Sequence, residues 1–123
     1  MLPQAPPFRF VDCLLEREVE QRCVTLKRFS AGEPLLRGAD SVPFSLVLEA
    51  LCQSAAFLAA DGDSGQGRIL RVDQAEMTGT VKPGESLRIT STLLESGATA
   101  LKAECLGEVE GKRVARLVVL VAR

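Results

Sequence analysis

Residues 42–59 read VPFSLVLEALCQSAAFLA. Leu46, Val47, Leu48, Ala50, Leu51, Ala55, Ala56, Phe57, Leu58 and Ala59 fall on nearly every side of a helical cylinder, the pattern of a buried helix. Pro43 suits the first turn of that helix, where a missing N–H leaves no bond unmade. The string DGDSG at 61–65 is a stop and loop signal. The run is too short to span a bilayer and carries Glu49 and Gln53.

On the C-terminal side the chain becomes β-like. Residues 68–80 read as one strand with a bend near Gly79. Val81-Lys82-Pro83-Gly84-Glu85 predicts a type II turn, with Gly84 supplying positive φ. Leu87, Ile89, Ser91 and Leu93 alternate with Arg88, Thr90 and Thr92 in the next strand, and Glu95-Ser96-Gly97 predicts a hairpin turn. Residues 98–109 and 114–122 follow as strands around a turn at Glu110-Gly111-Lys112. The continuously apolar run 117–121 suits a central strand covered on both faces, and its outer side argues for an oligomer. Upstream, residues 8–15 and 22–29 read as strands, 16–21 as a charged turn and 30–41 as a loop. The order is two strands, a buried helix, then a meander of antiparallel strands, an α+β pattern.

Composition sets the exclusions. The 123 residues suit one domain, and 46% hydrophobic content suffices for a core. A net charge of −1 gives no basic surplus for nucleic acid. Histidine is absent, which removes Ser-His-Asp and Cys-His catalysis and His-containing zinc sites from the chain's own repertoire. Cys13, Cys23, Cys52 and Cys105 form no CxxC and read as reduced, buried small side chains. No cofactor or metal site is expected. The opening MLPQAPPFRF lacks a charged n-region and an apolar h-region, so no secretory signal and a cytoplasmic location are expected.

Five strings, in order, resemble the hotdog-fold β-hydroxyacyl-acyl carrier protein dehydratases. PFRFVDCLLE at 7–16 is similar to the family's opening strand, EPLLRG at 33–38 to the lead-in to its active-site loop, and 42–59 to its central helix. VKPGESL at 81–87 resembles its Val-x-Pro-Gly-Asp turn, and Ala122-Arg123 a common ending. The resemblance implies one hotdog domain over residues 1–123: a long antiparallel sheet wrapped around one central helix, dimeric, with an active site shared between subunits. It also implies a substrate carried on acyl carrier protein or CoA.

By that resemblance Glu49 is the candidate acid and Gln53, one helical turn on, the group that orients it. A carboxyl on an apolar helix is expected to be desolvated, as a general acid requires. The family's His follows the loop Gly; here Gly38 is followed by Ala39 and Asp40. A few residues between that point and the helix Pro are missing as well. Asp40 is a weak candidate base and reads equally as a turn residue or helix cap. Phe44 replaces the Gly whose backbone N–H is thought to hold the thioester oxygen, so Gly38, Ala39 and Phe44 are the candidate substrate-binding positions. A Lys-Arg pair of the family is replaced by Thr78-Gly79.

The expectation is a dehydratase-like subunit with an incomplete site. It would work as a homodimer or in a heterodimer with a His-bearing hotdog subunit. A hotdog thioesterase using Glu49 and an acyl-binding module without chemistry are the alternatives.

Overall fold

The computed structural model describes residues 13–18, 21–30, 36, 40–58 and 68–122. Among them are six strands and one helix: β1 (Cys13–Glu18), β2 (Arg22–Arg28), α1 (Phe44–Ala56), β3 (Arg68–Met77), β4 (Ser86–Ser96), β5 (Ala100–Val109) and β6 (Lys112–Ala122). All strand pairs are antiparallel, in the order β1-β2-β4-β5-β6-β3. The expected α+β arrangement of one helix on a long antiparallel sheet is what the chain forms.

α1 touches β2, β4, β5, β6 and β3. Strands spaced about 4.8 Å apart put those five across roughly 19 Å, wider than a helix of about 10 Å diameter. Contact with both flanks is what a sheet curled around α1 gives. Gly107 of β5 lies at the closest approach: a Cβ there would meet Leu87 Cδ1 at 3.1 Å and Leu51 Cδ1 at 3.5 Å. Val47, Ala50, Leu51 and Ala55 of α1 join Leu87, Ile89, Leu101, Ala103, Leu117, Val119 and Val121 in the core.

The turns follow local chemistry. Gly84 has φ +96°, and Glu85 N–H donates to Lys82 O at 3.0 Å, closing the expected turn. Gly84 N–H also donates to the Phe29 carbonyl, which ties this turn to the end of β2. Glu110 and Gly111, both at positive φ, join β5 to β6.

Several expected boundaries move. The charged turn expected at 16–21 begins as strand, because Glu16 to Glu18 pair with β2, and Gln21 N–H closes the reversal on Glu18 O at 2.9 Å. Residues 8–12 of the expected first strand lie outside the described residues, as does most of the expected loop at 30–41 and the stop signal at 61–65. Helix α1 ends at Ala56, before the apolar run does. The hairpin turn expected at 95–97 shifts: β4 runs to Ser96, and Gly97 N–H bonds Ala100 O at 2.8 Å. The chain itself covers part of the outer face of the apolar run in β6, where Leu120 remains half-buried. Val118, on the outer face, is buried within the lone chain, in register between Gln74 and Glu104.

Leu51 is fully buried where α1 meets β5. Leu51→Ala is expected to destabilise the fold by about 3 kcal/mol through lost burial and a residual cavity, read as a lower urea midpoint at unchanged m-value.

Candidate functional site

Helix α1 presents two unlike faces. Val47, Ala50, Leu51, Gln53, Ser54, Ala55 and Ala56 are buried against the sheet. Ser45, Leu48, Glu49 and Cys52, spaced i, i+3, i+4 and i+7, form one open stripe, with Phe44 at its start. Leu48 and Cys52 are half-buried, whereas Ser45 and Glu49 are exposed. A helix expected to be enclosed on nearly every side is therefore enclosed on one. The carboxylate of Glu49 stands in solvent in the lone chain, so the desolvation expected of it is not supplied by this chain.

Gln53 lies one turn from Glu49 but is only 8% exposed, so the pair straddles the border between the open stripe and the core. Cys52 sits beside them. Its thiol is pushed up to about 11, first by burial and then by the negative charge of Glu49. The start of α1 is held by backbone. Val42 N–H donates to Val81 O at 2.7 Å, next to the Pro83-Gly84 turn. Pro43 is the N-cap, with no side-chain cap bond and no acidic residue in the first turn, so the positive end of the helix dipole is not offset locally. Phe44 is 41% exposed. Asp40 is exposed beside this start, away from the buried surroundings a carboxylate base needs. Gly38 and Ala39 lie outside the described residues.

The edge strand β3 is the other open surface. Leu70 and Val72 are 46% and 45% exposed on it. Arg71 and Asp73 form an ion pair at 2.5 Å, Lys102 Nζ lies 3.8 Å from Asp73, and Arg116 bonds both Glu104 (2.8 Å) and Gln74 (2.6 Å). Arg71 holds the Asp73 carboxyl below the usual carboxylate range. These charges belong to the solvated outer face.

A group of polar side chains beneath α1 escaped the sequence reading. Thr25 Oγ1 of β2 donates to Ser54 Oγ of α1 at 2.7 Å, Ser54 Oγ lies 3.1 Å from Ser91 Oγ of β4, and Ser91 Oγ donates to Cys105 Sγ of β5 at 3.2 Å. Cys23 Sγ donates to the Ser54 carbonyl at 3.3 Å. All five residues are fully buried. Burial raises the Cys23 thiol and pushes Cys105 up to about 12, so both are inert at neutral pH, as expected of buried cysteines. The available signal was a hydroxyl on the core-facing side of three separate elements, each of which needs a hydrogen-bond partner when buried. Among the described residues no cluster of His, Cys, Asp or Glu forms a metal-binding group, and no helix is long and apolar enough to cross a membrane.

No protein-family model matches the chain. Two curated relatives align over 94% of it. One is the 3-hydroxyacyl-(acyl-carrier-protein) dehydratase FabZ of Anaeromyxobacter dehalogenans, 32% identical with 80% of that protein covered. The other is the same-named protein of Bartonella quintana, 30% identical with 79% covered. Among solved structures, the dehydratase heterocomplex ApeI:P from Xenorhabdus doucetiae aligns with a TM-score of 0.79 at 15% identity, covering 99% of this chain and 87% of that one. A Streptococcus mutans protein bound to acetyl CoA aligns with a TM-score of 0.76 at 13% identity, covering 98% and 94%.

Alkylation of Cys52 should reveal the charge beside it. Its iodoacetamide rate, followed by peptide mass mapping, is expected to stay low at pH 8 and to rise as the pH approaches 11. Glu49→Gln removes a negative charge that disfavours the thiolate, so the rise is expected at lower pH in that variant.

Proposed function

The chain belongs to the FabZ family of 3-hydroxyacyl-(acyl-carrier-protein) dehydratases, and from that premise we propose that it is an acyl-thioester subunit supplying the acid half of a dehydration site. The observation that carries this reading is Glu49, set on the open stripe of α1 one turn from the buried Gln53.

Dehydration of a β-hydroxyacyl thioester removes an α-proton and expels the β-hydroxyl. The electrons of the C–H bond become the new C=C bond, and the departing hydroxyl takes a proton to leave as water. In this reading Glu49 gives that proton. Gln53 lies on the same side of the helix, at the spacing at which an amide orients a carboxyl. The thioester oxygen gathers charge as the α-proton leaves, and the first turn of α1 offers uncapped backbone N–H groups and the positive dipole end to it. Phe44 keeps the backbone donor of the Gly it replaces and adds an apolar ring beside it.

The α-proton needs a base near neutral pKa, and the chain holds no histidine. Asp40, exposed in the lone chain, is a poor substitute. The base therefore comes from a second subunit, a His-bearing hotdog relative. Two surfaces support that assembly. The edge of β3 is unpaired among the described residues, Leu70 and Val72 stand exposed on it, and the open stripe of α1 awaits cover. A partner there would take Glu49 out of water and into the enclosed surroundings in which a carboxyl acts as a general acid. The shared fold with a dehydratase heterocomplex and with a protein that binds acetyl CoA supports two subunits and a substrate carried on acyl carrier protein or CoA.

The test is dehydration of a β-hydroxyacyl thioester by this chain co-purified with a His-bearing hotdog subunit, followed at the absorbance of the unsaturated thioester. Turnover is expected from the pair and not from this chain alone. Glu49→Gln is expected to lower kcat by at least about 100-fold while the pair still co-elutes. Hydrolysis of acyl-CoA by the lone chain, lost in Glu49→Gln, would replace this reading with that of a thioesterase.

A further inference from the structure

We propose that Ser54, held by Thr25 and Ser91, is a positioning residue that sets the rotation and axial seat of α1 and so aims Glu49 and Gln53. This rests on the reading of Glu49 as the acid.

The argument begins with the hydrogen count. A hydroxyl has one proton to give. Ser91 gives its proton to Cys105 Sγ, so the proton between Ser54 and Ser91 comes from Ser54, and Ser54 in turn accepts from Thr25. The chain Thr25→Ser54→Ser91→Cys105 runs one way from β2 through the helix to β4 and β5. In it the Ser54 oxygen both receives and gives, so its position is fixed from two strands at once. Cys23 adds a third hold on the same residue by donating to the Ser54 carbonyl, which Phe57 N–H also reaches at 3.2 Å. That carbonyl lies in the last turn, where backbone acceptors lack helical partners.

The apolar contacts of the buried face are less directive. Val47, Ala50, Leu51, Ala55 and Ala56 are apolar and mostly small, and apolar burial is non-directional. A small rotation or slide of the helix would exchange one such contact for another. It would, however, break hydrogen bonds whose donors and acceptors have no water to turn to. Pro43 adds no side-chain cap to fix the N-terminal end. The pin thus acts at the C-terminal turn and reaches the site through the rigid rod of the helix. Ser54 follows Gln53 directly. It lies five residues from Glu49, about 140° around the axis. A twist that freed Ser54 would swing Glu49 along the open stripe by the same angle.

The experiment uses the two-subunit enzyme and reads kcat and KM separately. Ser54→Ala and Thr25→Val are each expected to lower kcat about 10- to 100-fold, the penalty of a sub-ångström to ångström misplacement, with KM within about twofold. Thr25→Ser, which keeps the donor, is expected to restore kcat. In the Glu49→Gln background, Ser54→Ala is expected to cause little further loss, because both changes act through one carboxyl. Should Ser54→Ala fail to fold, Thr25→Val set against Thr25→Ser decides the matter alone. Folded Ser54→Ala or Thr25→Val protein with wild-type kcat, while Glu49→Gln is inactive, overturns the inference and leaves the acid assignment standing. A full additive loss in the double variant likewise overturns it. Wild-type turnover in Glu49→Gln removes the acid assignment and the positioning role together.

Discussion

A thirteen-residue helix contacts five strands of one antiparallel sheet, and most of this structure follows from the curl of that sheet around it. The curl requires a backbone close enough to the helix to set its depth, and Gly107 provides it by leaving room for Leu51 and Leu87. It also requires the ends of the strands to turn back tightly, which Gly84 and the Glu110-Gly111 pair achieve at positive φ. Once the sheet closes on one side of α1, the other side is left to whatever meets it.

That division explains why Glu49 can sit on so apolar a helix without being trapped. Its carboxylate occupies the stripe that the chain's own sheet leaves open, so this carboxylate is not a buried charge in the lone chain. In the proposed assembly the cost of desolvating it would fall when the partner docks, and Leu70, Val72 and Phe44 are exposed apolar side chains on the same lone chain. A carboxyl kept in water until a partner arrives is a useful arrangement for a subunit without a base, because its acidity as a catalyst and the arrival of the base depend on the same event.

Much of this was legible in the chain. Pro43, the apolar run behind it and the Pro83-Gly84 turn each carry a steric reason that tertiary contacts did not override. The alternation of Leu87, Ile89, Ser91 and Leu93 placed β4 on the correct face. The reading faltered where periodicity tells that a residue is apolar but not which neighbour covers it. It therefore expected α1 to be buried on nearly every side and Glu49 to be desolvated on it. Glu16, Arg17 and Glu18 looked like a turn because they are charged, yet charged residues are common on edge strands, and β1 is one. The spacing of Glu49 and Gln53 put them on one side of the helix. Their unequal burial depends on the curl of the sheet, which no local pattern encodes.

The buried hydroxyls follow a different logic from the core around them. Replacing Thr25, Ser54 and Ser91 by apolar groups of the same shape would remove several desolvated polar atoms and could leave stability nearly unchanged. Stability alone is thus a weak reason for a satisfied polar chain in this position. Directional bonds do what apolar packing cannot: they distinguish one rotation of a helix from another of similar burial. α1 presents small side chains to a smooth concave surface, where such alternatives lie close in energy. In a domain whose single candidate acid projects from that same helix, fixing its rotation is the property that chemistry would require. The bonds from Thr25 and Ser91 converge on a helical residue able to deliver it.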